Sequence, residues 1–270
     1  MSKISKQQLK LHEQAMSLVN LPRALKASEK EFVLKNFREE CVLEINKWGC
    51  YVTSESVAWE FGIDVTGCPE YPDQREKIVD LCAGIGTLSY HLAERFDHID
   101  LVCVERNETL AMVGKKILPQ ATWIVGSVTD DDVISQLIDM KIQTAISNPP
   151  FGNIPMVKKM KDAQYQGAEA AYRVLEVAKR VARRATFILP HNLLPFRYSF
   201  CRHFEYVENQ TFEKFSSCTE IKLKVGVLDL SLVDQKPFRN TSIPVDVVHA
   251  SWPNKPTKTQ ITQLDLFDAA

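Results

Sequence analysis

The chain has no apolar run long enough to cross a bilayer and no leader-like apolar stretch near its amino end, so the sequence predicts a cytoplasmic protein. Its seven cysteines, at 41, 50, 68, 82, 103, 201 and 218, contain no C-x-x-C pair. An odd number of thiols without metal-ligand spacing argues against a disulfide framework and against structural zinc, and predicts reduced thiols with no metal site. Neither charge is in excess: the formal net charge is −1. Contact with a polyanion would have to come from local basic patches. The G-x-G-x-x-G dinucleotide fingerprint is also missing. What is present is 270 residues, 45% of them hydrophobic, enough for one full α/β core.

Apolar runs at 77–81, 100–104, 123–125 and 144–146 read as buried strands. The first leads into Cys82-Ala83-Gly84-Ile85-Gly86-Thr87-Leu88 and then a helix through Tyr90, Leu92 and Ala93. Small residues at Ala83, Gly84 and Gly86 let backbone approach a ligand closely. The second run ends in Glu105, an acidic side chain able to accept from both hydroxyls of a ribose, and the third ends at Gly126-Ser127-Val128. Any one of these strands is unremarkable core. The ordered set fits a parallel sheet that binds at its carboxyl edge.

The fourth run ends in Asn148-Pro149-Pro150-Phe151, a pattern suited to holding a planar amine. The exocyclic amine of adenine is a poor nucleophile because its lone pair is delocalised into the ring, so a catalyst must draw both N–H bonds toward acceptors. Asn148 offers a side-chain carbonyl and Pro149 a backbone carbonyl. Two prolines fix φ and remove competing N–H donors, and Phe151 can stack on the base. An ordinary Asn-Pro turn after a strand is the plainer reading of the same residues.

Taken together, these residues resemble the class I S-adenosylmethionine-dependent methyltransferases, in particular the amino-methyltransferases that carry an Asn/Asp-Pro-Pro-aromatic tetrad. The resemblance covers about residues 50–190. It implies that Asp80, Cys82, Ala83, Gly84 and Gly86 form the cofactor loop, that Glu105 holds the ribose, and that Ser127 and Val128 face the cofactor adenine. The family commonly has Asp where Ser127 stands, and Asp130 is the alternative acceptor. The segment 51–58 resembles the upstream cofactor segment, with Thr53 or Ser54 as a helix cap near the methionine end.

Outside that region, 7–19 carries apolar residues at helical spacing, and Ser28 with Glu31 has capping-box spacing ahead of Phe32, Val33, Phe37, Cys41 and Ile45. The sequence thus predicts a pair of N-terminal helices covering an edge or face of the sheet. Lys158, Lys159 and Lys161 follow the tetrad, where a mobile loop could touch phosphate; Lys179, Arg180, Arg183 and Arg184 end a helix over 170–182 and complement its dipole. A strand over 186–190 leads to His191 and Asn192 near the substrate. Runs at 221–225 and 227–233 are hairpin-like and would complete a sheet of about seven strands with an antiparallel edge. The Pro-, Lys- and Thr-rich segment 251–262 reads as a flexible tether ending in Gln263-Leu264-Asp265-Leu266-Phe267. That pentapeptide resembles the bacterial sliding-clamp-binding motif, with Gln263 at the rim and Leu264, Leu266 and Phe267 as apolar anchors; the same alternation would also suit a terminal strand.

The expectation is an α/β, Rossmann-like methyltransferase fold in three parts: an N-terminal helical extension (1–49), a catalytic domain (50–250) and a tail (251–270). The implied activity is S-adenosylmethionine-dependent methylation of adenine N6 in DNA with short or relaxed sequence specificity, in a bacterium, phage or plasmid. An RNA adenine methyltransferase is the alternative, and less favoured are a protein glutamine methyltransferase and a non-catalytic clamp-associated module.

Overall fold

The computed structural model describes residues 4–42, 48–65, 75–154, 160–239, 241 and 243–253. Five strands, β1 (Glu76–Asp80), β2 (Ile99–Glu105), β3 (Thr122–Val125), β4 (Thr144–Ser147) and β5 (Arg184–Pro190), run parallel and are joined through helices. Two more, β8 (Lys222–Val225) and β9 (Val245–Ser251), complete a seven-stranded sheet of order β3-β2-β1-β4-β5-β9-β8, in which β9 alone is antiparallel to its neighbours. A short hairpin, β6 (Phe196–Arg197) with β7 (Glu205–Tyr206), stands apart. The order reverses between β1 and β4, and the crevice at such a switch point is where open α/β sheets bind ligands.

Both faces of the sheet are covered, which is why its central strands are apolar throughout rather than alternating. The two-residue period of the strand sends Ile78 and Cys103 to one face and Val79, Val102 and Val104 to the other. The first face is closed by α1 (Lys6–Val19), α2 (Ala27–Asn36), α3 (Glu55–Val65), α4 (Thr87–Arg95) and α5 (Glu108–Ile117), through Ala15, Leu34, Phe61, Leu92 and Ile117 among others. The second is closed by α6 (Asp131–Asp139), α7 (Ala170–Val181) and α8 (Gln210–Thr219), through Leu137, Leu175 and Phe215. None of the helices among the described residues is long and apolar enough to cross a membrane.

Three expectations need correction. The run 227–233 is not the hairpin partner of β8. Asp64 accepts the N–H groups of Val227 and Leu228 at 2.8 and 3.1 Å, and Asp229 then caps the short helix α9 (Leu230–Val233), so this backbone has no ladder to join. The partner is β9, which the sequence reading left unassigned and whose last residue, Ser251, it gave to the tether. The second N-terminal helix starts at Ala27 and not after Ser28: the Glu29 carboxylate accepts the Lys26 N–H at 2.8 Å, and Phe37 leaves the helix in extended conformation, so Cys41 does not continue it; Ile45 lies outside the described residues. Clamp-motif residues Gln263, Leu264, Leu266 and Phe267 lie outside the described residues, as do Lys158 and Lys159.

Candidate active site

The carboxyl ends of β1, β2 and β4 deliver Asp80, Glu105 and Asn148 to one crevice. Two adjoining cavities open into it. Asp80, Ala83, Gly84, Thr53 and Asn148 line the first, Ser127, Val128 and Asp130 the second, and Cys50, Cys82, Glu105 and Pro150 both. Most of the sites expected from sequence are therefore gathered in one place. Ser127 and Asp130 both face the second cavity, so the two candidate acceptors share one wall.

The turn after β1 takes its shape from its glycines. Gly84 and Gly86 have φ of +57° and +84°, and a Cβ added at Gly84 would meet nothing within 4 Å, leaving open space beside that backbone for a ligand. Glu105 fixes the turn from the neighbouring strand: it accepts the Gly84 N–H at 2.8 Å and the Asn107 N–H at 2.7 Å, and lone pairs remain for a ligand's hydroxyls. Burial pushes its carboxyl above the ordinary range, against the pull of those two N–H groups. Asp80 is buried and accepts the Ser89 hydroxyl at 3.0 Å with one oxygen, while Oδ1 has no partner. Burial raises its carboxyl to about 7. The Cys50 thiol is pushed up to about 12 by burial, with Glu105 adding to the shift, so it is no thiolate nucleophile.

The tetrad is tied to the segment before α3. The Asn148 side-chain amide donates to the Tyr51 carbonyl at 2.6 Å and to the Thr53 hydroxyl at 3.0 Å. Both of its N–H bonds are thereby used, which fixes the orientation of the amide; Oδ1 is buried and has no partner. Thr53 thus orients Asn148, and the cap of α3 is Ser54, which receives the Val57 N–H on its hydroxyl at 3.4 Å. Gly49, at φ +57°, accepts the Phe151 N–H on its carbonyl at 3.0 Å. The Phe151 ring packs against Tyr51 and Phe238, with centroids 5.7 and 5.8 Å away, instead of lining either cavity. After the tetrad, Gly152 donates to Glu169 at 2.6 Å, and Arg173 holds the Ile154 and Gly167 carbonyls.

Residues 69–184 match the family model for the methyltransferase small domain. The chain has the class I methyltransferase fold. Two solved structures show it: the methyltransferase subunit of a type I restriction-modification system from Streptococcus thermophilus, and a putative class I S-adenosylmethionine-dependent methyltransferase from Listeria monocytogenes. The first is 13% identical with a TM-score of 0.56, over 86% of this chain and 52% of that one. This chain thus spans about half the length of that subunit. The second is also 13% identical, with a TM-score of 0.52 over 93% of this chain and 89% of its own. No curated protein matches the sequence.

Within this methyltransferase fold the basic cluster at 179–184 lies away from the crevice. Arg184 opens β5 at the amino edge of the sheet and pairs with Glu76 at 2.6 Å, and Arg180 holds the Lys161 and Asp162 carbonyls. His191 sits beside the buried Asp246, 3.1 Å away, and does not line either cavity. Among the crevice residues that sequence reasoning missed are Cys50, and Glu39 from the 3₁₀ turn Glu39–Cys41. Neither belongs to a motif, and only the packing of the N-terminal segment onto the sheet brings them in.

Proposed function

We propose that the protein is an S-adenosylmethionine-dependent methyltransferase acting on the N6 amine of adenine in DNA. The observation that carries this reading is Asn148. Its N–H bonds are spent on Tyr51 and Thr53, which leaves a buried carbonyl oxygen with no partner on a residue that lines the crevice. Leaving such an acceptor unmatched costs about 1–3 kcal/mol, and an incoming amine N–H would satisfy it. With the Pro149 carbonyl as second acceptor, both N–H bonds of a planar amine would be drawn into the turn and its lone pair left pointing outward, toward the methyl donor.

The residues present fit that donor. Asp80 Oδ1 is a carboxylate oxygen without a partner, suited to an ammonium group, the space beside Gly84 admits a ligand against the backbone, Glu105 suits a ribose, and Ser127, Val128 and Asp130 surround a second cavity suited to a base. When bound, S-adenosylmethionine supplies an electrophilic methyl group on a positively charged sulfur. The chain itself positions the amine and excludes water from its acceptors. A base within a duplex would have to be flipped out to reach Asn148, at a cost of a few kcal/mol.

The tail favours DNA over RNA. Gln263, Leu264, Leu266 and Phe267 would dock on a sliding clamp, raising the concentration of the enzyme near duplex DNA, and an RNA enzyme has no use for such an anchor. Changing Leu266 and Phe267 together to Ala should abolish capture by a purified bacterial clamp and leave methyl transfer to short free DNA unchanged. The substrate is tested by offering methyl-labelled S-adenosylmethionine with duplex DNA, single-stranded DNA, ribosomal RNA and protein in parallel, and identifying the product by mass spectrometry. N6-methyldeoxyadenosine is expected. Label in RNA adenosine or in protein glutamine would reassign the substrate.

A further inference from the structure

The N-terminal helices place one more acidic group against the reaction cavity. α2 stops where Phe37 turns extended and buries its ring, and the following 3₁₀ turn faces Glu39 inward. Glu39 is 2% exposed, neither of its carboxylate oxygens has a hydrogen-bond partner, and it lines the cavity that holds Asp80, Thr53 and Asn148. A carboxylate withdrawn from water without a partner is among the costliest groups a fold can carry. The Arg239 guanidinium eases this by its charge but forms no hydrogen bond with the carboxylate, since it donates to the Leu34 and Phe37 carbonyls. Like Asp80 Oδ1, its oxygens are buried without a hydrogen-bond partner, in a residue that lines the cavity.

We propose that Glu39 binds the positively charged amino-acid end of the cofactor together with Asp80, so that the N-terminal helices supply part of the cofactor site. The inference rests on the S-adenosylmethionine reading. Two carboxylates with unpartnered oxygens suit a ligand end that carries an ammonium and a sulfonium beside its own carboxylate; the neighbouring Thr53 and Asn148 bring no charge of their own. The charged and titratable groups around Glu39 are Arg239, Arg38 and Glu40 on its packed side, and Asp80, Glu105 and Cys50 around the cavity. Burial raises the Glu39 carboxyl to about 7, as it does that of Asp80, so a bound cation would draw both toward the ionised form and affinity would rise with pH up to about 8.

The test is calorimetry on the full chain at pH 8 with S-adenosylmethionine, S-adenosylhomocysteine and 5′-methylthioadenosine, the last lacking the amino-acid end. Glu39→Gln should weaken the first by about tenfold or more, weaken the second as well, and leave the third within about twofold. Glu39→Asp, which keeps the charge, should recover part of the loss. The Gln variant should also melt higher than wild type without ligand at pH 8, since it removes an unmatched buried charge; a merely structural residue would not gain stability while losing affinity. Unchanged affinity for S-adenosylmethionine in Glu39→Gln, or equal loss for 5′-methylthioadenosine, would overturn the role of Glu39 alone. Wild-type protein that binds none of the three would remove the cofactor reading and this inference together.

Discussion

Asn148 shows how much of a site can depend on which way an amide points. Its side chain donates to Tyr51 and Thr53, so Asn148→Asp would set a carboxylate against the Tyr51 carbonyl, now 2.6 Å from the amide nitrogen. The expected result is a folded protein with a melting temperature lower by about 2–4 °C for each kcal/mol lost, and no methyl transfer. Differential scanning fluorimetry and a transfer assay check both. Asp80 and Glu39 set the pH response. Both carboxyls are held near 7 in the folded protein by burial, above their unfolded values, so the folded state keeps protons that the unfolded state has released. Stability should therefore fall as pH rises from about 4 to about 7 and level off above, by about 4 kcal/mol for each group. Denaturant unfolding at pH 5 and pH 8 measures it, and Asp80→Asn should flatten the slope; stability rising through that window would contradict the assignment. Asp80, Gly84, Glu105 and Asn148 were legible in the sequence because each lies at or just beyond the end of an apolar run. Glu39 was not, because its burial is a product of tertiary packing that leaves no periodic trace.

Among the elements, the segment before α3 and the tetrad turn form one unit. Gly49 receives the Phe151 N–H at φ +57°, and a Cβ there would lie 2.2 Å from the Phe151 carbonyl oxygen. Gly49→Ala should therefore displace the turn and lose both stability and transfer while the far-UV circular dichroism stays native; a variant as active as wild type would mean that the two segments are not coupled. Phe151, expected to stack on the base, also belongs to a cluster with Tyr51 and Phe238. Phe151→Ala should accordingly lower the melting temperature as well as the transfer rate. The parallel strands could be read from their apolar runs, since strands buried on both faces have little else. β9 could not: its run follows two prolines and a charged stretch, and its antiparallel place between β5 and β8 is set by pairing with strands far away in sequence.

For the whole molecule, the N-terminal extension is part of the core and not an appendage. Ala15, Val19, Val33, Leu34 and Phe37 belong to the same buried cluster as Ile78 of β1 and Leu92 of α4. Removing residues 1–42 should expose that face, with strong binding of a hydrophobic dye and loss of cooperative unfolding; a truncated chain that still melts cooperatively would show the helices to be separable. The sequence announced these helices by their spacing but could not say which face they cover. The central claim, that the unpartnered Asn148 carbonyl receives the amine that is methylated, is tested most directly by single-turnover methyl transfer to duplex DNA set beside cofactor affinity in Asn148→Ala. The account predicts transfer slower by about 10²–10³-fold or more, with S-adenosylmethionine affinity within about threefold of wild type. Transfer at the wild-type rate, or cofactor affinity lost in proportion, would contradict it.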